Sequence, residues 1–161
     1  MITNGMIKRA EYLLLDSGAI SILEEGMLRS TKGRKSNRKD LELLFIGMLL
    51  SIQDRHCATI KSIHQVLTED LTLDQQLHLG VATGNYDDQK MLKLSALYNQ
   101  VRKINNCLAY GFGSRLKLNE YERERRRQVV VAFSNALNDC VLAALPVDHT
   151  TLAVDGSGHW A

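Results

Sequence analysis

The sequence reads as an all-α chain: a multi-helix bundle with a helix-turn-helix-like pair near its middle and a short orphan strand at its C-terminal end. Three observations carry that reading. Pro146 is the single proline, so nothing before it forces a helix to stop. Apolar side chains recur at three- and four-residue steps through most segments between Met6 and Leu145. Residues suited to capping helix N-termini, among them Thr59, Thr72 and Asn119, head several of these segments. With 161 residues, 45% of them apolar and 24% charged, the chain can bury one real core and lacks the composition of a disordered protein. The expected division is a helical domain over 1–146 and a strand with tail over 147–161.

The first apolar stripe runs through Ile7, Leu14 and Leu15 to Asp16. After Gly18 it resumes at Ile20, Leu23 and Met27 toward Leu28. One kinked helix or two short ones would fit, because glycine costs about 1 kcal/mol against alanine inside a helix. The stretch from Arg29 to Lys39 carries Arg29, Lys32, Arg34, Lys35, Arg38 and Lys39 without an acid, and reads as a basic loop leading into a helix. Asn37 can cap that helix and Asp40 falls in its favourable first turn. Leu41 to Ile52 is apolar on nearly every side and belongs at the centre of the bundle, with Gly47 suited to the close approach of a neighbour.

Thr59 opens a helix to about Leu67, with Ile60, Ile63, Val66 and Leu67 on one stripe and Lys61, Ser62, His64 and Gln65 on other faces. Thr72, with Gln75 three residues on, has the spacing of a capping box for a helix through Leu79. Gly80 to Asp88 reads as loop. Asp88 can cap a long helix whose stripe is Met91, Leu94, Leu97 with Tyr98, Val101, Ile104 and Leu108, ended by Gly111 and Gly113. Asn119 caps the last helix, from Glu120 to about Leu145. Its first turns are charged, and its second half is expected to be buried through Val129, Val130, Phe133, Leu137 and Val141. Beyond Pro146, Thr150 to Val154 looks like a strand with no partner strand in the chain, followed by Asp155-Gly156.

Several function classes are excluded. No apolar run is long enough for a membrane span, and the first residues lack the pattern of a secretory signal, so the expected location is the cytoplasm with no membrane partner. Cys57, Cys107 and Cys140 are odd in number and widely spaced, which fits neither a disulfide framework nor a zinc knuckle; they read as small core residues. His149 and His159 match no compact zinc pattern. There is no phosphate-binding glycine loop, dinucleotide fingerprint or nucleophile–base arrangement.

A net charge of +2 does not suit a DNA-coating protein, so any nucleic-acid role falls to local clusters. The basic segment suits phosphate contacts, which give affinity and salt dependence rather than sequence preference. Arg115, Lys117, Arg123, Arg125, Arg126 and Arg127 form a second cluster, diluted by Glu120, Glu122 and Glu124. It reads as a solvated helix face with pairs such as Glu122–Arg126. If the helices near Leu41–Ile52 and Thr59–Leu67 form a helix-turn-helix, Lys61, Ser62, His64 and Gln65 would face base edges. Their connection spans about six residues, longer than the usual tight turn. The candidate nucleic-acid contacts are therefore Arg29, Lys32, Arg34, Lys35, Arg38, Lys39, Lys61 and Gln65. Asp155, at the end of a strand, could hold a divalent metal or simply begin an Asp-Gly turn.

Three stretches together resemble the start of an IS4-like transposase of the DDE class. They are the basic segment followed by LELLFIGMLLSIQDRHCATIKSIHQVL, the tyrosine-led helix YNQVRKINNCLAYGF, and the terminal TTLAVDGSGHWA. The resemblance implies a helical region that binds double-stranded transposon-end DNA, followed by an RNase H-like domain using three carboxylates and magnesium. It places the first of those carboxylates at Asp155. The second aspartate and the glutamate have no counterpart up to Ala161, so this stretch alone is expected to be catalytically inactive and to bind no cofactor. A helical interaction or scaffold protein, able to form homo-oligomers, is the competing expectation.

Overall fold

The computed structural model describes residues 1–28, 38–83, 90–111 and 117–144. Among them it contains seven α-helices, a π-helical turn and one two-stranded antiparallel ribbon. Asn37, the basic residues 29–37, Pro146 and the expected strand ending at Asp155 lie outside the described residues.

The N-terminal stripe folds as two helices, α1 (Asn4–Asp16) and α2 (Ala19–Leu28). Thr3 caps α1 by accepting the Met6 amide at 3.3 Å. Gly18 ends it with φ +72°, a backbone angle that glycine adopts without Cβ strain. α3 (Arg38–Arg55) is the central element, as its all-round apolar pattern predicts. Leu41, Leu44 and Leu50 are buried in it, and it touches α1, α2, α4 (Ile60–Gln65), the π-helical turn Val66–Asp70 and α6 (Leu94–Leu108). Burying each such leucine contributes roughly 1.5–3 kcal/mol. Gly47 permits the α3–α4 contact: a Cβ there would lie 2.8 Å from Ile63 Cγ2 and from Leu67 Cδ1.

The predicted capping box heads α5 (Leu73–Leu79). Thr72 Oγ1 accepts the Gln75 amide at 3.3 Å while Gln75 Oε1 accepts the Thr72 amide at 2.9 Å. Gly80 ends α5 in the left-handed conformation.

The expectation for the next segment needs correction. Ala82–Thr83 (β1) pairs antiparallel with Lys90–Met91 (β2), so the backbone around Met91 is committed to a ribbon. The helix therefore begins at Leu94 and not at Asp88.

The last helix, α7 (Glu120–Ala144), is capped by Asn119, whose Oδ1 accepts the Glu122 amide at 2.7 Å. Its second half is not buried as expected. Val129, Val130, Phe133 and Leu137 are half-buried against the core, but Val131 and Val141 are 41% and 43% exposed. α7 lies along α2, α1 and α6, and no described element covers its outer side. Phe133 meets Phe45 of α3 with ring centroids 5.1 Å apart. The three cysteines are free and half-buried, not core residues as expected; of the three, Cys107 packs against the core. No helix among the described residues is long and apolar enough to cross a membrane.

Candidate nucleic-acid interface

The α3–α4 connection is tighter than the sequence suggests. Only His56 to Thr59 separate the helices, because α3 runs on through Arg55. His56 turns the chain at φ 52°, an angle that is uncommon for a residue with a Cβ, and its amide donates to Ile52 O at 3.0 Å. Thr59 then caps α4, accepting the Ser62 amide at 3.1 Å. A four-residue turn with a left-handed residue has the length of a helix-turn-helix.

The side chains of α4, however, are mostly used inside the protein. Ser62 is buried, its hydroxyl lies 2.9 Å from Ser51 Oγ, and the Ser51 hydroxyl donates to Cys57 O. Gln65 Oε1 accepts from Arg55 Nη1 at 2.9 Å, while Arg55 Nε and Nη2 donate to Asp70 Oδ2 at 2.9 and 2.6 Å. His64 Nε2 lies 2.9 Å from Leu92 O. Of the four residues expected to face bases, Lys61 alone projects freely. Gln65 would have to release Arg55 before it could contact anything else.

The clustered arginines have likewise been recruited by the fold. Arg38 donates to Glu42 at 2.9 Å, Ser21 at 3.1 Å and Glu24 at 3.5 Å, tying the start of α3 to α2. Lys39 is exposed. Arg29, Lys32, Arg34, Lys35, Arg115 and Asp155 lie outside the described residues.

On α7 the expected Glu122–Arg126 pair forms at 3.0 Å; Arg127 and its partner Glu124 are solvated as expected, at 52% and 47% exposed, but the Arg125 and Arg126 side chains are only 13% and 8% exposed. Arg126 Nη1 donates to Asn106 O at 2.9 Å and Ala109 O at 3.2 Å, the open carbonyls at the end of α6. Arg123 Nη1 donates to Tyr110 O at 2.8 Å, and Arg125 Nη1 to Gly26 O at 3.2 Å near the end of α2. These guanidinium groups satisfy helix C-termini that would otherwise lack partners. Glu122 sits between two of them, and its hydrogen bonds to Arg125, then Arg126, hold its carboxyl down at about 2.

A different set of cations remains available. Lys61 on α4, Lys90 and Lys93 at the ribbon and the head of α6, and Arg102 and Lys103 on α6 make no side-chain ion pair or hydrogen bond. Neither α4 nor α6 contains an acid. The two helices pack on each other, and the His64–Leu92 contact joins α4 to the residue just before Lys93. The absence of acids from these two helices is masked in the sequence by the apolar stripe of α6. Fifteen helical residues without one carboxylate were the available signal.

An apolar groove of about 520 Å³ between α2, α3, α6 and α7 is lined by residues such as Leu23, Phe45, Ile104 and Phe133 and presents no acid–base pair. No group of three or more His, Cys, Asp or Glu side chains is placed to hold a metal ion among these residues. Comparison with protein-family models, with curated proteins and with solved structures finds no match to this chain.

Proposed function

We propose that the chain is the helical, DNA-binding region of an IS4-like DDE transposase and that it grips duplex DNA through its phosphates. The observation that carries this reading is the division of labour among the cations. Arg55, Arg125 and Arg126 are spent on carboxylates and backbone carbonyls, whereas Lys61, Lys90, Lys93, Arg102 and Lys103 make no ion pair and stand on or beside two joined helices that contain no acid. A surface of that kind raises local positive potential although the whole chain carries only +2. The stretch 29–37 brings four more cations, Arg29, Lys32, Arg34 and Lys35, and no acid.

Within this proposal catalysis belongs to an RNase H-like domain, with Asp155 as its first carboxylate. Magnesium there needs several carboxylates together, which the described residues do not supply, so the helical part is assigned binding alone.

Fluorescence anisotropy of a labelled duplex against salt concentration tests the reading. Each phosphate neutralised contributes about 0.9 to the log–log salt slope, so replacing Lys61, Lys90 and Lys93 together by Gln should flatten it by about 2–3. A wild-type chain that leaves duplex DNA unbound at low salt would remove the proposal.

Two observations on α7 favour a second reading, a helical self-association module: the exposed Val131 and Val141, and the apolar groove that Val130 and Phe133 help to line. Light scattering showing a stable dimer that is indifferent to DNA would select it.

A further inference from the structure

We infer that the outer face of α6 reads base sequence in the major groove through Asn99, Arg102 and Asn106. This rests on the DNA-binding proposal and adds to it the surface that distinguishes one duplex from another. The three residues stand at i, i+3 and i+7 and so fall within an arc of about 60° of the helix. They lie opposite the stripe of Leu97 and Leu108, both 3% exposed, which fastens α6 to the core. All three are exposed, with Tyr98 and Lys103 flanking them, and none of their side chains makes a hydrogen bond. From Asn99 to Asn106 the helix rises about 10 Å, the length of roughly three base steps.

The side-chain chemistry suits that position. A carboxamide offers a donor and an acceptor side by side and matches the adenine edge. A guanidinium offers two parallel donors and matches guanine. Exposed helix faces are usually stabilised by acid–base pairs at i,i+4, and α6 has none. It instead carries Asn99, Asn105 and Asn106, each a weaker helix former than the Lys, Glu or Gln that such positions ordinarily hold.

The face is also held rigidly from both ends. The His64–Leu92 contact fixes its approach, and Arg126 binds Asn106 O and Ala109 O at its exit. Ser62, Gln65 and His64 of α4 have no comparable freedom, being bonded to Ser51, Arg55 and Leu92.

The test uses the intact chain to select duplexes from a randomised library. The selected duplex and a scrambled one are then titrated with wild type, with an Asn99→Ala/Asn106→Ala variant, with Arg102→Ala, and with Lys61→Gln/Lys93→Gln. Alanine at exposed helical positions preserves folding, which circular dichroism verifies. The α6 variants should lose about tenfold or more on the selected duplex and, for the Asn pair, stay within about twofold on the scrambled one. The lysine variant should weaken both equally. A selection that returns no motif overturns the α6 assignment and leaves DNA binding standing, as does an Asn pair that changes both duplexes alike or neither. Failure of wild type to bind any duplex at low salt overturns both.

Discussion

Glu122→Gln removes the negative charge that holds the α2–α6–α7 junction together. Glu122 Oε1 accepts from Arg125 Nη2 at 2.6 Å and from Arg126 Nε at 3.0 Å, and Oε2 accepts from Arg125 Nε at 2.9 Å. Those guanidinium groups in turn donate to Gly26 O, Asn106 O and Ala109 O. Glutamine keeps one acceptor oxygen but turns an amide N–H₂ toward a guanidinium, and the geometry that aims the arginines at helix ends slackens. The carboxyl is lowered from 4.5 to about 2, and at about 1.4 kcal/mol per unit the ceiling on its contribution is about 3 kcal/mol. The side chain is 29% exposed, so water competes for part of that, and about 1–2 kcal/mol is the expected loss at neutral pH.

The pH dependence follows from the direction of the shift. A carboxyl depressed in the folded state gives its full stabilisation above the unfolded value near 4.5 and loses it as pH falls toward 2. Urea unfolding of wild type and Glu122→Gln at pH 7, 5, 3 and about 2, read as midpoint and slope, measures the difference directly. The gap should be widest at pH 7 and shrink to a few tenths of a kcal/mol, roughly, by pH 2. A gap that is near zero at pH 7, or that persists unchanged into acid, would show that the carboxylate does not organise the junction.

Three further outcomes are expected. Gly47→Ala should lower stability by about 1 kcal/mol in the same urea assay although alanine is the better helix former, because its methyl would press on the buried Ile63 and Leu67; a gain would mean that α3 and α4 pack less closely. Gln100→Met should raise the thermal midpoint, with a stabilisation of about 1 kcal/mol, since Gln100 Nε2 is buried without a hydrogen-bond partner; a loss would reveal a partner for that amide. His56→Gly should be neutral or stabilising by up to about 1 kcal/mol, as it relieves a left-handed angle at the α3–α4 turn, whereas Gly18→Ala should destabilise by a similar amount for the opposite reason; calorimetry of the two variants checks both signs.

Much of the helical layout was legible because its causes are local. Thr59, Thr72 and Asn119 cap the helices they were expected to cap, since a side-chain oxygen needs only the amide two or three residues on. The apolar ring of Leu41 to Ile52 announced a central helix, and Gly47 a close neighbour, because burial on every side leaves no polar stripe. Two errors share one origin. Met91 fitted a helical stripe and was claimed by a ribbon, and Val141 fitted a buried helix and lies open. In each case periodicity identified what a residue prefers, while its neighbours in space settled what it met.

The candidate interface shows the same boundary more sharply. Composition and spacing establish a helical bundle, its caps and its clusters of positive charge, because helix propensity, capping and hydrophobic period act over a few residues. Which cations remain free depends on contacts between residues far apart in the chain, such as Arg125 with Gly26 O and Arg126 with Asn106 O. An arginine that finds an open carbonyl or carboxylate in the packed bundle is neutralised in function though not in count. Arg125 and Arg126 of the dense α7 cluster therefore became internal structure, and the sparse one on α6 was left facing solvent, because charges pair by distance in space.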